Sequence, residues 1–427
     1  MLAYRAGRPI RAAEFLAAAA ALAAALPAGR HVINVCADRY RFAVGLAAAM
    51  LAGKVSLLPP SHTPQVVRHL RQFAPDVFCL TDAPECAIDL PQVRYPHAPA
   101  PPQPWRVPHL ADETLIAYVF TSGSTGVPVP HPKTWGRLVA CVREGAGRLN
   151  LAPGTALLAT VPAQHMYGFE SSVLLALAAG AALVAERPFY PADIAQVLAA
   201  LPRPRALIST PIHLRAILAA GLALPPADLI LSATAPLDAP LAREAEAHFA
   251  APLIEIYGST ETGQLATRRT AREQAWRPWP AVSLTLEADR VWARDGHLEA
   301  PTPLGDAIEL LEDGTFMLQG RLADLVNIAG KRSSLGYLTH QLLALEGVRD
   351  GAFFLPERSG ASGVSRVAAV VVAPGRTEAD LMAGLRERLD PVFLPRPLLR
   401  LERLPRNSTG KLPQEALAAL LDAAGRP

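Results

Sequence analysis

Short, unbroken apolar runs alternate with helix-length amphipathic stretches along the first part of the chain. Residues 31–36 (HVINVC) have the character of a buried strand, 41–52 read as a helix stopped by Gly53, and 55–58 as a short strand closed by Pro59 and Pro60. A helix over 65–73 and a strand over 76–80 continue the series. Strands spaced by helices of this length predict an α/β fold built on a doubly wound, mostly parallel sheet. After a proline-rich stretch at 98–108, predicted as loop, the pattern resumes. The strand 115–120, further buried strands at 181–185, 206–209 and 229–232, and helices at 188–201 and 212–220 follow. Between 282 and 318 it changes to short alternating segments with Asp-Gly pairs at 295–296 and 313–314, which predicts antiparallel hairpins. A smaller α+β unit then carries a strand at 367–372, a helix at 377–389 and a closing helix at 414–424. The expected division is a large N-terminal domain, 1–320, and a small C-terminal domain, 321–427. No internal repeat is visible.

Composition narrows this picture in three ways. The 427 residues exceed one ordinary core, and 51% hydrophobic against 19% charged residues describes a folded chain. A net charge of +3 over this length predicts neither nucleic acid nor a membrane surface as a partner. Cys36, Cys79, Cys86 and Cys141 form no C-x-x-C pair and lie near no histidine cluster, so buried free thiols are expected. Near the start, Arg5, Arg8 and Arg11 precede an apolar run at 15–26, as in a signal peptide. Glu14 at the boundary and the alanine content argue instead for the first helix of the fold, and the run is too short to span a bilayer.

The strand at 115–120 leads directly into Thr121, Ser122, Gly123, Ser124, Thr125 and Gly126. A strand feeding such a loop presents backbone N–H groups and hydroxyls on one concave surface, which suits phosphate oxygens. No Gly-Lys-Ser/Thr follows, so this is not a Walker A loop. Three more segments accompany it. Tyr257-Gly-Ser-Thr-Glu-Thr-Gly263 follows an apolar run. Gly320-Arg-Leu-Ala-Asp324 continues to Gly330-Lys-Arg332, and Leu404-Pro-Arg-Asn-Ser-Thr-Gly-Lys411 lies near the end. Singly, each could be an ordinary turn or a solvated charge. In this order and at these separations they resemble the AMP-forming acyl- and aryl-CoA synthetase superfamily, which also holds peptide-synthetase adenylation domains and luciferases. The resemblance runs from about residue 30 to the end.

That resemblance implies the fold in more detail: a small barrel-like β region in the large domain, and a C-terminal domain that moves as a lid. It also implies ATP-dependent adenylation of an organic carboxylic acid, followed by acyl transfer to a phosphopantetheine thiol on CoA or a carrier protein. ATP and Mg²⁺ are the implied cofactors and the cytoplasm the implied compartment. The loop 121–126 would cradle phosphates. Tyr257 and Gly258 would lie at the adenine, with Ala233, Thr234 and Ala235 forming the opposite wall. Thr260 would contact phosphate, and Glu261 would hold Mg²⁺, for which a carboxylate is a natural hard ligand. Asp306 would grip the ribose, Arg321 would add a bidentate contact, and Lys411 would stabilise charge during adenylation. His165, in a P-x-x-H-x-x-G segment, would gate the acyl pocket. Glu170 nearby is ambiguous, because peptide-synthetase domains keep an acid in this region for an amino-acid ammonium.

The sequence departs from the family at three places. Val129 stands where the phosphate loop carries lysine. One charge about 4 Å from phosphate is worth roughly 4 kcal/mol at an effective dielectric near 20, so His131 or Lys133 is expected to replace part of it. Ala323 stands at the usual hinge acid, with Asp324 following. The phosphate loop also begins early, as in the short aryl-acid ligases of aryl-polyene and xanthomonadin pathways, which the continuation 261–269 also resembles. Two other readings stay open on sequence: a stand-alone amino-acid adenylation enzyme, and a non-catalytic relative that binds nucleotide or a carrier protein.

Overall fold

A computed structural model describes residues 1–96, 107–122, 128–288, 290–321, 325–328, 331–356, 366–406 and 412–424. Two sheets organise the first three quarters of the chain. In the first, the strands Gln92–Arg94, Phe78–Thr81, His31–Asn34, Val55–Leu58 and Leu115–Ser122 lie side by side and all run parallel. The strand Pro128–Thr134 closes its edge antiparallel to Leu115–Ser122. In the second, Leu253–Ser259, Leu229–Ser232, Arg205–Ser209, Ala156–Ala159, Ala182–Val184 and Ala3–Arg5 run parallel. Antiparallel strands flank this set at both edges: Gly263–Arg268 and Arg277–Pro278 on one side, Arg8–Ile10 on the other. The doubly wound, mostly parallel architecture read from the alternating pattern is therefore the one present.

The largest core joins residues of both sheets with the helices Ala12–Ala25 and Arg39–Leu51. The alanine-rich run is the first helix, as expected. Its Ala19 is buried with Phe15 and Leu22, and the small side chains let the two helices approach closely. Within Arg39–Leu51 nearly every residue is buried, which explains why its pattern looks apolar all round. Among the described residues no helix is long and apolar enough to cross a membrane.

Several local expectations change. The proline-rich continuation after the glycine loop, given no element in the sequence pattern, is an edge strand. Pro128, Pro130 and Pro132 recur with period two, so their missing N–H groups all face away from the partner strand, the arrangement a sheet edge tolerates. The same period sets Val129, His131 and Lys133 on one face. Residues 3–10 form a hairpin that their polarity hid, turning at Ala6 and Gly7 with positive φ. The helix expected from 188 begins at Pro191, where proline suits the first turn. Of the loop expected at 98–108, residues 97–106 lie outside the described ones.

The 282–318 region does form antiparallel hairpins. Val282–Glu287, Arg290–Asp295 and Thr302–Pro303 make one small sheet, and Asp306–Leu310 with Phe316–Arg321 make another. Asp313-Gly314 lies within the second hairpin. The first turns near Ala288 instead of at Asp295-Gly296. Asp295 and Gly296 both take positive φ at the strand's end and lead the chain into the buried His297.

Beyond Arg321 the cores are separate. Two clusters draw only on residues from Val326 to Leu421, around the three-stranded sheet Asp350–Phe354, Ala368–Val372 and Leu398–Arg400. Gly320 precedes this unit with φ +120, and a Cβ there would fall 2.2 Å from Ser334 Oγ. Ser334 is occupied in turn: its hydroxyl donates to Gln319 O at 2.6 Å and accepts from Tyr337 N, capping the next helix.

Trp279 is completely buried beneath the Gly263–Arg268 strand, its backbone N–H donating to Leu265 O at 2.7 Å. Trp279→Ala should lower unfolding free energy by about 3–5 kcal/mol, measured by chemical denaturation.

Candidate active site

Open parallel sheets bind ligands beyond the carboxyl ends of their strands, and of the described motif residues Thr121, Thr234 and Tyr257 lie at such ends. Leu229–Ser232 and Leu253–Ser259 are neighbours, with Ser232 paired to Glu255. That pairing alone sets Ala233–Thr234–Ala235 beside Tyr257. Thr234 is exposed and takes φ +79. Tyr257 is half-buried, its ring packed edge-on to Phe316 and tilted against Trp276, both buried. Its hydroxyl donates to Asp306 Oδ2 at 2.6 Å. Asp306 in turn pairs with Arg321 across the antiparallel ladder. Three residues read separately from three motifs thus meet at one place.

Gly258 lies so close to the next strand that a Cβ would sit 2.2 Å from Gly263 O. Only glycine fits, and the chain then turns through Ser259, Thr260, Glu261 and Thr262. The turn is tied by Thr262, whose Oγ1 accepts from Ser259 N at 3.1 Å and donates to Gly263 O at 3.0 Å. The Glu261 side chain is exposed. Facing it from the other sheet is His131. Its Nε2 is 3.6 Å from Glu261 Oε1 and hydrogen-bonded to Thr121 Oγ1 at 3.0 Å. Burial holds the His131 pKa below its usual value, Glu261 opposes that, and Lys133 adds to it.

Of the phosphate loop, Thr121 is described, Ser122 by its backbone only, and Gly123, Ser124, Thr125 and Gly126 lie outside the described residues, as do Ala323, Asp324 and Lys411. Arg321 is described by its backbone. Val129 is 44% exposed. Lys133, by contrast, is only 6% exposed and donates to the backbone carbonyl of Glu261 at 3.2 Å. The two candidates for the missing charge therefore differ: His131 faces the open side of the turn and Lys133 its buried side.

His165 begins a short helical turn, Met166–Gly168, that runs on into a π-helical segment, Phe169–Leu174. The segment is anchored by Arg39, fully buried, whose guanidinium donates to Ala159 O, Val161 O and Ser172 Oγ. Burial pushes the Arg39 pKa down to about 9. Gln264 Nε2 donates to Ser171 Oγ at 3.1 Å, tying the His165 segment to the strand after the Glu261 turn. Glu170 is 2% exposed, and burial, opposed first by Lys133, raises its pKa to about 7. Sequence reasoning missed Gln264, His297 and Cys141 around it, because no motif marks them.

Beyond the Ala233–Ala235 segment, a cavity of about 230 Å³ separates Pro236 and Asp238 from Leu335, Thr339, His340, Phe354 and Leu412.

The chain belongs to the AMP-binding enzyme family, which matches residues 7–320, and so to the AMP-forming acid–thiol ligases. It is 35% identical over 285 residues to a 4-coumarate–CoA ligase of Rhodobacter capsulatus, covering 65% of this chain and 68% of that one. Among solved structures, ATP-bound MatB from Rhodopseudomonas palustris superposes with a TM-score of 0.83 at 19% identity, over 99% of this chain and 96% of that one. The o-succinylbenzoate CoA synthetase MenE from Bacillus subtilis, in complex with its acyl-adenylate intermediate, gives 0.78 at 18% over 95% and 91%.

Gly258→Ala should displace the Glu261 turn. Adenylation is expected to fall about 10²-fold, as for an ångström-scale misplacement of catalytic groups, with circular dichroism unchanged.

Proposed function

We propose that the pocket framed by Tyr257, Asp306, Glu261 and His131 holds ATP. A carboxylic acid of the aryl or acyl class enters beside the His165 segment, and the acyl group then passes to a phosphopantetheine thiol. The hydrogen bond from Tyr257 to Asp306 carries this reading. It fixes an aromatic face and a carboxylate side by side at the strand ends, as recognition of adenine and ribose requires. The similarity to 4-coumarate–CoA ligase supports an aryl acid.

Mg²⁺ fits this site. Glu261 offers an exposed hard oxygen, and Mg²⁺ typically takes one or two carboxylates together with substrate phosphates. Among the described residues no group of three His, Cys, Asp or Glu side chains could cage a metal, which suits an ion shared with the nucleotide. When bound, it neutralises charge on the phosphates. The acid's carboxylate oxygen bonds to the α-phosphorus as the bond to pyrophosphate breaks. The chain contributes position and charge: Tyr257 and Asp306 orient the nucleoside, Thr260 and the loop 121–126 hold phosphate, and Arg321 adds a contact near the ribose.

Residues 321–427 form the lid in this reading, and their separate cores support it. Lys411 comes from the lid to stabilise the developing charge. Rotation near Ala323 and Asp324 withdraws Lys411 and admits the thiol. Where this chain has Val129 in place of the family's loop lysine, His131 faces the phosphates as a polar partner; burial favours its neutral form, so it offers a hydrogen bond in place of a full charge.

A panel of carboxylic acids in a pyrophosphate-release assay, run with CoA and with a holo carrier protein, tests the whole reading; no release with any acid would refute it. Lys411→Ala should abolish adenylation yet still form thioester from supplied acyl-adenylate, and loss of both steps would contradict its role. His131→Ala should raise KM for ATP about tenfold, equivalent to ~1.4 kcal/mol, with an unchanged KM indicating that the imidazole contributes nothing to nucleotide binding.

A further inference from the structure

Beneath the turn at 261–263 lies a set of buried polar side chains from four separate parts of the chain. Lys133, on the proline-spaced edge strand, donates to Glu261 O at 3.2 Å. His297, in the loop after Arg290–Asp295, meets Thr262 O through Nε2 at 3.0 Å. Glu170, on the π-helical segment, abuts Gly263: a Cβ there would be 2.8 Å from Glu170 Oε1, and 3.5 Å from both Cys141 Sγ and His297 Nε2. Cys141, on the helix Trp135–Arg148, donates its thiol to Glu170 Oε1 at 3.4 Å. Each of three consecutive turn residues is therefore met from below by a different buried polar group.

Lys133 and Glu170 are the charged members, and each opposes the cost of burying the other. Two buried ions are often less stabilising than apolar residues of the same volume. Stability alone therefore does not account for two ionisable side chains buried here. Their geometric consequence is specific. The ammonium reaches the carbonyl of the residue whose carboxylate projects on the opposite, open side, and the carboxylate limits how far Gly263 can sink.

We propose that Lys133 and Glu170 act as positioning residues that brace the 261–263 turn from below, so that the Glu261 carboxylate is presented to the nucleotide-bound metal. This rests on the reading of Glu261 as the Mg²⁺ ligand. Both side chains are buried, which suits a positioning role. Lys133 thus does not replace the loop lysine at the phosphates; it acts through Glu261.

The test is a mutant cycle with K133M, E170Q, the double variant K133M/E170Q and, as reference, E261Q. The probe is α,β-methylene-ATP, titrated calorimetrically with and without Mg²⁺, alongside KM for the acid. K133M alone removes the ammonium that opposes the burial of Glu170 and the donor to Glu261 O, and is expected to melt early. The double variant removes both charges and should melt close to the wild type. It should nevertheless need about tenfold more Mg²⁺ for half-saturation, the effect of losing one charge-assisted hydrogen bond. Metal-free nucleotide binding and KM for the acid should stay within twofold. A K133R variant, which keeps a donor, should recover part of the Mg²⁺ shift. If the double variant requires no more Mg²⁺ than the wild type while E261Q does, the positioning role is overturned and the metal reading stands. If E261Q also leaves the Mg²⁺ requirement unchanged, the metal reading of Glu261 falls and takes the positioning role with it.

Discussion

The active-site geometry depends on one contact between two sheets. The strand Pro128–Thr134 belongs to the first sheet and the Glu261 turn hangs from the second, yet His131 and Lys133 of the former close on the two sides of the latter. Each sheet is held by its own ladder of backbone hydrogen bonds, and their shared core fixes the distance between them. A site built across such a junction inherits the rigidity of both cores. A turn standing alone at the end of one strand would not hold a carboxylate to within an ångström.

Charge at this junction is distributed unusually for a family that places a lysine in the phosphate loop. Val129 leaves that position neutral. The basic residues of the same strand face lie two and four residues on, because a strand repeats its face every second residue. The nearer, His131, looks out over Thr121 and Glu261. The farther, Lys133, is buried against Glu261 O and the field of Glu170. One strand face therefore grades from solvent to core, from Val129 through His131 to Lys133, and the chemistry of each residue follows its depth.

The second half of the site is assembled by a different device. Tyr257 and Asp306 meet because the second sheet and the small antiparallel hairpins share the buried Trp276 and Phe316. Gly320 and Ser334 then mark the passage into the C-terminal unit, whose cores draw on no residue before Val326.

By itself the sequence determined the alternating elements, because buried parallel strands are short apolar runs and their crossover helices are amphipathic, and both patterns survive without knowledge of any neighbour. Val55–Leu58, Leu229–Ser232 and Gln414–Ala424 match their sequence readings end for end. The motif residues Tyr257, Glu261 and Asp306 were legible as a set for the same reason: each sits in a local turn or strand end with its own signature. Tertiary structure alone decided that His131 meets the open side of the Glu261 turn and Lys133 its buried side. It also decided that Cys141, Glu170, Gln264 and His297 gather under one turn, and that a proline-spaced segment is an edge strand. These outcomes depend on which side of a strand meets another sheet, a relation set by packing between elements far apart in the chain and written in no single stretch of it.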